Sequence, residues 1–196
     1  MYGWILVSAD NDSTMLPPER AGGATCPHCG RKVADVPVDP GFQLRERGFD
    51  LSETEEGYWI ASQEFKDFCD ILPFSNLEFV PLPNDPGFYW FRVHSVAEYQ
   101  PPADSVHHDR FCRSCHAFGA VEGFLEPSGR SKALPEGIHR SEFEYGQGLR
   151  QRPLMLVGEK TGISLNKRRF RGVYLSPLAP GRQPGVGPGA LLVKAS

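Results

Sequence analysis

The chain has 196 residues, of which 40% are hydrophobic and 23% charged, and its formal net charge is −3. These values are typical of a globular protein, and a chain of this length buries enough surface that no metal is needed merely to supply a core. Eighteen prolines and 21 glycines predict many turns and short elements.

The N-terminal residues 1–8 are mostly apolar, but the run is short and no basic segment precedes it. It predicts neither a secretory signal nor a membrane span. The chain has five cysteines, an odd number that argues against a disulfide framework. We therefore expect a protein of the reducing cytoplasm that contacts no membrane.

Four of the cysteines form two Cys-x-x-Cys pairs, Cys26-Pro27-His28-Cys29-Gly30 and Cys112-Arg113-Ser114-Cys115-His116. Two intervening residues let a tight turn present both sulfurs to one metal ion, and a glycine after the second cysteine suits that turn. We predict one structural Zn²⁺ site. Its predicted ligands are Cys26, Cys29, Cys112 and Cys115. The two pairs lie much farther apart than the roughly 15–20 residues typical of compact zinc ribbons.

A redox role and a metal-free pairing are the alternatives for these cysteines. The Pro-His dipeptide of the first pair also occurs in oxidising thioredoxin-like enzymes, where the first cysteine follows a hydrophobic strand and opens a helix. Here residues 17–25 are rich in proline and glycine and Gly30 follows, so we expect a loop. Four histidines lie in or near the pairs, and we expect them around the site or on the surface rather than as ligands. They are His28, His107, His108 and His116.

A strand, a helix and further strands follow the first pair. Residues 58–61 form an apolar run of strand type, and residues 62–72 carry apolar side chains at helical spacing. Residues 77–82 alternate as a strand does, and residues 87–96 are rich in aromatic and β-branched side chains, which predicts a strand buried on both faces. Cys69 falls on the apolar face of the helix and is expected to be a small core residue.

The same order of elements recurs 96 residues later. Residues 154–157 form another apolar run, a polar stretch extends to Arg169, and residues 173–178 alternate and end in Pro-Leu, as residues 77–82 do. The second helix is predicted less strongly because Gly162 interrupts it. The recurrence favours an internal duplication, with coincidence in a mixed α and β chain as the alternative.

We therefore expect an α+β fold with an antiparallel or mixed sheet. It would consist of two similar strand-helix-strand halves, each preceded by a Cys-x-x-Cys zinc knuckle. The first half covers residues 1–100 and the second covers residues 101–178, and the two are expected to form one compact domain. Residues 179–196 are rich in glycine and proline and are expected to form a flexible tail.

The sequence carries no recognisable catalytic motif: it has no nucleophile motif, phosphate-binding glycine loop or His-Glu-x-x-His segment. A zinc site closed by four thiolates also lacks the open position that hydrolysis requires, so we expect a protein that is not an enzyme. Residues 167–171 interleave basic side chains with Phe170, a pattern found in nucleic-acid-binding proteins. The sequence pI of about 6.1 and the core-like position of Phe170 argue against such binding.

The pattern resembles the double-CXXCG-motif family, known chiefly as paralogous sets in myxobacteria. The matching features are Cys26-Pro27-His28-Cys29-Gly30, the second pair, the recurring run, helix and strand ending in Pro-Leu, and Leu134-Pro135-Glu136-Gly137-Ile138, over roughly residues 1–180. The second motif departs from the family in ending with His116 instead of glycine. The resemblance implies an immunity protein that binds a cognate polymorphic toxin. A zinc-knuckle adaptor that binds nucleic acid or a regulatory protein is the alternative.

Residues 46–56 are rich in acidic side chains that would suit a basic toxin. An immunity protein needs no chemistry, only a rigid surface that covers its toxin, and clustered charge accelerates such an encounter. The predicted partner-binding residues are Glu46, Asp50, Glu53, Glu55 and Glu56. A solvated acidic loop is the alternative interpretation of the same residues.

Overall fold

The computed structural model describes residues 3–16, 23–34, 37–72, 74, 76–99, 106–123 and 133–178. The predicted tail, residues 179–196, lies outside this part of the chain. The strands are β1 (Gly3–Asp10), β2 (Leu51–Glu53), β3 (Trp59–Ser62), β4 (Leu77–Pro81), β5 (Phe88–Val93), β6 (Val96–Ala97), β7 (Val106–Cys112), β8 (Ala117–Gly123), β9 (Ile138–Gln147), β10 (Arg152–Val157) and β11 (Val173–Leu178). The helices are α1 (Gln63–Ile71) and α2 (Glu159–Arg168).

The described strands form one mixed sheet in the order β4-β5-β3-β2-β1-β10-β9-β8-β7, with β11 added against β1 and β6 against β9. Most neighbours are antiparallel, and the β1–β2 and β6–β9 pairs are parallel. The prediction of a mixed α and β fold with a mixed sheet is confirmed at this level. The structure is mostly sheet, with two α-helices in its described part and a short 3-10 helix at Gly148–Arg150.

Helix α1 begins where its sequence provides a cap. The Ser62 hydroxyl accepts a hydrogen bond from the Phe65 backbone N–H, which satisfies one of the free donors of the first turn. Phe65, Phe68 and Cys69 point into the core, so the prediction for Cys69 is confirmed. The Phe170 ring packs edge-on against both Phe65 and Phe68, which joins the segment after α2 to α1.

Helix α2 forms in spite of its glycine. Gly162 lies against the indole of Trp4, and a Cβ at this position would overlap that ring. Leu165 is fully buried, and α2 ends at Arg168, followed by the C-cap Arg169 in the left-handed conformation. The glycine that weakened the sequence prediction is therefore a packing requirement of the helix.

The strand-helix-strand segments lie where the sequence predicted them, as β3-α1-β4 and β10-α2-β11. In each segment a third strand lies between the two strands of the segment and pairs antiparallel with both. This third strand is β5 between β3 and β4, and β1 between β10 and β11. Because β1 belongs to the predicted first half, residues 3–10 complete the sheet of the second. The domain boundary at residue 100 stays a prediction.

Strand β5 is buried on both faces, as its composition predicted. Phe91 packs in the larger hydrophobic cluster with Phe65, whereas Trp90 packs in a second cluster on the opposite face with Met15 and Phe42. Phe88 and Tyr89, at the start of the strand, are half-buried. The aromatic run therefore supplies core contacts and offers little exposed ring surface.

Candidate metal centre

The first Cys-x-x-Cys pair lies in a tight hairpin turn. The Cys26 backbone N–H donates to the Arg31 carbonyl over 2.8 Å, and the Gly30 N–H donates to the Cys26 carbonyl, also over 2.8 Å. Thr25 and Lys32 form an antiparallel bridge that closes the hairpin. Gly30 has a φ of +72°, which a residue without a Cβ adopts at little cost. Residues 27–29 form a turn, so the prediction that the pair lies in a loop is confirmed.

The second pair forms the turn between β7 and β8, with the same spacing of partners. Cys112 faces Ala117 across the hairpin, and Phe111 faces Phe118. His116 has a φ of +54° and occupies the position that Gly30 occupies in the first turn. The second turn therefore keeps the same geometry although it lacks the glycine. The backbone of His116 adopts a left-handed conformation that costs free energy for a residue with a Cβ.

The two turns bring the four predicted ligands together. The Cys26 and Cys112 sulfurs lie 3.7 Å apart, as do the Cys29 and Cys115 sulfurs. All four sulfurs lie within 4.8 Å of one another, the one such group of cysteine, histidine and carboxylate ligands among the described residues. A tetrahedral Zn²⁺ with bonds of about 2.3 Å separates its sulfurs by about 3.75 Å, whereas a disulfide requires about 2.05 Å.

Two thiols of the cluster, Cys112 and Cys29, differ strongly in pKa. Backbone N–H groups of Cys115 and Ser114 donate to the Cys112 sulfur and lower the pKa of that thiol to about 6. The Arg31 N–H also favours the Cys29 thiolate, but burial and the neighbouring sulfurs outweigh it and raise the pKa of Cys29 to about 12. Thiolates crowded in this way repel one another, and a bound cation removes that repulsion.

The arrangement suits a structural metal ion rather than a catalytic one. Four sulfurs complete a tetrahedral shell and leave no position for water or substrate. The redox alternative requires a cysteine at the start of a helix, whereas in the described residues both pairs lie in hairpin turns and neither opens a helix. His28, His107, His108 and His116 are all exposed, and none belongs to the sulfur cluster.

A salt bridge that the sequence did not reveal supports the first turn. The Arg31 guanidinium pairs with Glu144 of β9, so the residue that closes the first knuckle is tied directly to the sheet. The two residues lie 113 positions apart, and neither belongs to a recognisable motif. Only the folded arrangement reveals this second attachment of the knuckle.

Two of the five predicted partner-binding acids are interior residues. The Asp50 carboxylate accepts hydrogen bonds from the Arg171 backbone N–H over 2.8 Å and from the Ser62 hydroxyl over 3.2 Å. The Glu56 carboxylate accepts hydrogen bonds from the backbone N–H groups of Met15 and Leu16. Both side chains are buried, so they hold segments of this chain together and are not surface charges.

The other three acids differ among themselves. Glu53 is mostly covered and pairs with Arg152, and burial raises the pKa of its carboxyl in spite of that arginine. Glu46 and Glu55 are exposed. The acidic stretch is therefore not one charged surface, and the prediction of partner binding stays open for Glu46 and Glu55, the two exposed members.

Comparison with protein-family models, with curated proteins and with solved structures finds no match to this chain. Within the described residues, neither helix has the length and apolar character needed to cross a membrane. The four-sulfur cluster is therefore the strongest functional feature that the molecule itself provides.

Proposed function

We propose that this chain is a cytoplasmic immunity protein that binds and neutralises a protein toxin, and that its four clustered cysteines hold a structural zinc ion. The observation that carries the proposal is the convergence of Cys26, Cys29, Cys112 and Cys115. It agrees with the double Cys-x-x-Cys resemblance, from which the toxin-binding role comes. The protein would act by covering its partner and would perform no catalysis.

Zinc is the metal that this ligand set favours. Thiolates are soft ligands, and a tetrahedral set of four sulfurs is typical of structural zinc. Two of the six sulfur separations, both 3.7 Å, match the edge of such a tetrahedron, and all six are within 4.8 Å. A reducing cytoplasm would keep these closely spaced thiols from oxidising and available to the metal.

A rigid binding surface is what the ion would contribute. The β7–β8 hairpin is joined to the rest of the sheet through Ala120 and Val121 of β8, which pair with the end of β9. An ion that also fixes its turn to the first knuckle would hold the hairpin in one orientation. Rigidity before binding reduces the entropy that association costs.

Exposed aromatic side chains are the best candidates for anchors in the interface. Phe111, beside Cys112, is 55% exposed, and Phe143 and Tyr174 are also exposed. Aromatic side chains in the centre of an interface contribute much of the affinity in typical complexes. The aromatic residues Phe88 to Phe91 are poorer candidates, since they are buried or half-buried in β5.

We also infer that the chain arose by internal duplication. Ser62 and Gly158 cap the two helices, Asn76 and Gly172 both adopt positive φ before the following strand, and Leu82 and Leu178 are both buried. Each pair is separated by 96 residues, the offset that the sequence predicted. An internal duplication would explain why a similar strand-helix-strand unit follows each knuckle.

The nucleic-acid alternative has less support. Phe170, the aromatic residue within the basic stretch 167–171, is buried against Phe65 and Phe68 and offers no face for a base. Stacking on exposed aromatic rings supplies much of the affinity of single-strand binders. The remaining charges of this stretch would bind nucleic acid only weakly and in a salt-dependent way.

Co-expression with the product of a neighbouring gene tests the proposed function. We expect a stoichiometric complex on size-exclusion chromatography and rescue of cell growth when that product is toxic. An unrelated toxin should give neither result and serves as the control. Protein that purifies with RNA or DNA, and that leaves the neighbouring product free, would instead support the adaptor alternative.

A further inference from the structure

A pocket of about 440 Å³ lies beside the first knuckle, between its hairpin and strands β3, β5, β9 and β10. Its volume is within the range of about 300–1,000 Å³ that small-molecule sites occupy. Neither the metal centre nor the proposed toxin surface assigns it a role. Its walls come from segments far apart in sequence, so no local motif could have indicated it.

Positive charge dominates the lining of this pocket although the whole chain is acidic. The cationic or titratable basic side chains in the wall are Arg31, Lys32, Arg92, His94, Arg140 and Arg152. Glu144 is the one carboxylate among the described wall residues, and it pairs with Arg31. Glu78 pairs with Arg92 and His94, and Glu53 pairs with Arg152 from outside the pocket. Within the described residues, the half-buried Arg140 guanidinium makes no hydrogen bond or ion pair.

Nε of Arg31, a donor, and Oε1 of Gln151, an acceptor, are buried in the wall and lack hydrogen-bond partners among the described residues. The Gln151 side chain is almost wholly buried. An unsatisfied buried polar atom costs free energy, so such atoms in a pocket wall favour a ligand that offers both an acceptor and a donor.

Aromatic rings fix two of the cations in place. The Lys32 ammonium lies 4.2 Å from the centre of the Tyr58 ring, and the Arg92 guanidinium lies 4.6 Å from the centre of the Trp90 ring. These contacts orient the charges and cover the ring faces. Because the cations cover these faces of Tyr58 and Trp90, a nucleobase could not stack on them. A ligand would instead be recognised through its oxyanion groups.

From these observations we propose that the pocket binds a small phosphate monoester. The guanidinium of Arg140 and Nε of Arg31 donate to the phosphate oxygens, and Lys32 adds charge. Gln151 accepts a hydrogen bond from a hydroxyl of the ligand. A simple carboxylate lacks this hydroxyl and leaves Gln151 unsatisfied. The site is separate from toxin binding, and neither proposal requires the other.

The pocket is also linked to the metal centre. Arg31 and Lys32 immediately follow the first knuckle, and the Arg31 carbonyl accepts the hydrogen bond of the Cys26 N–H. A metal that fixes this turn therefore fixes two of the phosphate-binding side chains. Ligand binding should therefore be measured on protein that is fully loaded with metal.

Isothermal titration calorimetry at low ionic strength tests the proposal with glucose 6-phosphate, inorganic phosphate and succinate, a dicarboxylate without a hydroxyl, as probes. We expect saturable one-site binding of the sugar phosphate, weaker binding of inorganic phosphate and none of succinate. Arg140→Gln should weaken sugar phosphate binding at least about tenfold, the effect of losing a charged hydrogen bond. Lys167→Gln, an exposed residue of α2 outside the pocket, controls for the loss of one positive charge.

Three results would overturn the assignment. They are no saturable binding of either phosphate probe, binding of succinate as tight as that of the sugar phosphate, and equal weakening by Arg140→Gln and Lys167→Gln. Circular dichroism and thermal unfolding establish that each variant is folded. If Arg140→Gln does not fold, Lys32→Gln takes its place, with the same loss of affinity expected.

Discussion

Gly30 and His116 occupy the same position in the two Cys-x-x-Cys turns, and both adopt the left-handed conformation, with φ values of +72° and +54°. A Cβ added at Gly30 would meet no other atom within 4 Å, so only the backbone conformation penalises a side chain there. The two turns thus perform the same task with different residues. One residue adopts the required conformation freely, whereas the other is held in it.

This pair predicts opposite effects of two matched substitutions. Gly30→Ala should destabilise the protein by about 1 kcal/mol, because alanine disfavours a positive φ. His116→Gly should leave stability unchanged or raise it by up to about 1 kcal/mol, since released strain is partly offset by the entropy of glycine in the unfolded chain. Urea denaturation of metal-loaded protein measures both. A large loss of stability in His116→Gly would mean that the imidazole makes a contact the turn needs.

Metal binding predicts a specific pattern of thiol reactivity. In the native loaded protein no cysteine should react quickly with a thiol reagent, because four are bound and Cys69 is buried. A chelator should release one zinc per chain and expose four reactive thiols, with the fifth reacting only after unfolding. Cys69→Ala should keep its metal, whereas Cys112→Ser should lose it. Rapid reaction of all four cluster thiols before chelation would contradict the metal site.

Loss of the metal should loosen the two turns more than the rest of the sheet. Cys112→Ser is expected to increase hydrogen exchange in residues 23–34 and 106–123 while β3 and β5 stay protected, because those strands pack in the main core. Mass spectrometry of exchanged peptides measures this. Uniform loss of protection in every segment would mean that the ion is needed for folding as a whole.

Local features of this fold could be predicted from sequence, but its long-range pairings could not. The turns, the strand-helix-strand segments and the buried Cys69 each leave a pattern within a few residues. By contrast, the insertion of β1 between β10 and β11 joins residues more than 140 positions apart. The burial of Asp50 was also missed, since the N–H group that it binds lies 121 residues away. Composition alone marked it as a surface charge.

Gly162 shows how packing overrides helix propensity, and it predicts a loss of stability where propensity predicts a gain. Alanine is favoured over glycine within a helix by about 1 kcal/mol. At this position the added methyl group would overlap the Trp4 indole, so Gly162→Ala should destabilise by about 1–3 kcal/mol. Asn166→Ala, on the exposed side of α2, should be neutral or slightly stabilising. Thermal unfolding of the two variants compares them directly, and a stabilised Gly162→Ala would show that the indole moves aside.

Glu53 predicts a pH dependence of stability with a definite sign. Burial raises the pKa of its carboxyl above the ordinary value of 4.5, so the folded state holds this proton more tightly than the unfolded state. Its contribution to stability is present below pH 4.5 and is lost as the pH rises through the folded pKa. The free energy of unfolding of wild type relative to Glu53→Gln should therefore fall across that window. Glu55→Gln removes the same charge from an exposed site as a control, and a difference that rises with pH would contradict the raised pKa.

The exposed acids Glu46 and Glu55 give the prediction that bears most directly on toxin binding. If they face a basic partner, Glu46→Lys with Glu55→Lys should slow association by about tenfold at low salt, because steering charges act on the rate of encounter. The rate should also become less sensitive to added salt. Folding should survive, since neither side chain is buried. Asp50 and Glu56 are left unchanged because their reversal would disrupt the interior.

The matched control reverses Glu98 and Glu142, which are exposed near β6 and β9. It changes the net charge by the same amount at a different place on the sheet. Stopped-flow association of each variant with the co-purified toxin separates local steering from the effect of total charge. Equal association rates for the two double variants would show that the acidic stretch does not lie in the interface. The exposed aromatic residues Phe111 and Phe143 would then be the next positions to substitute, because anchors of that kind act mainly on dissociation.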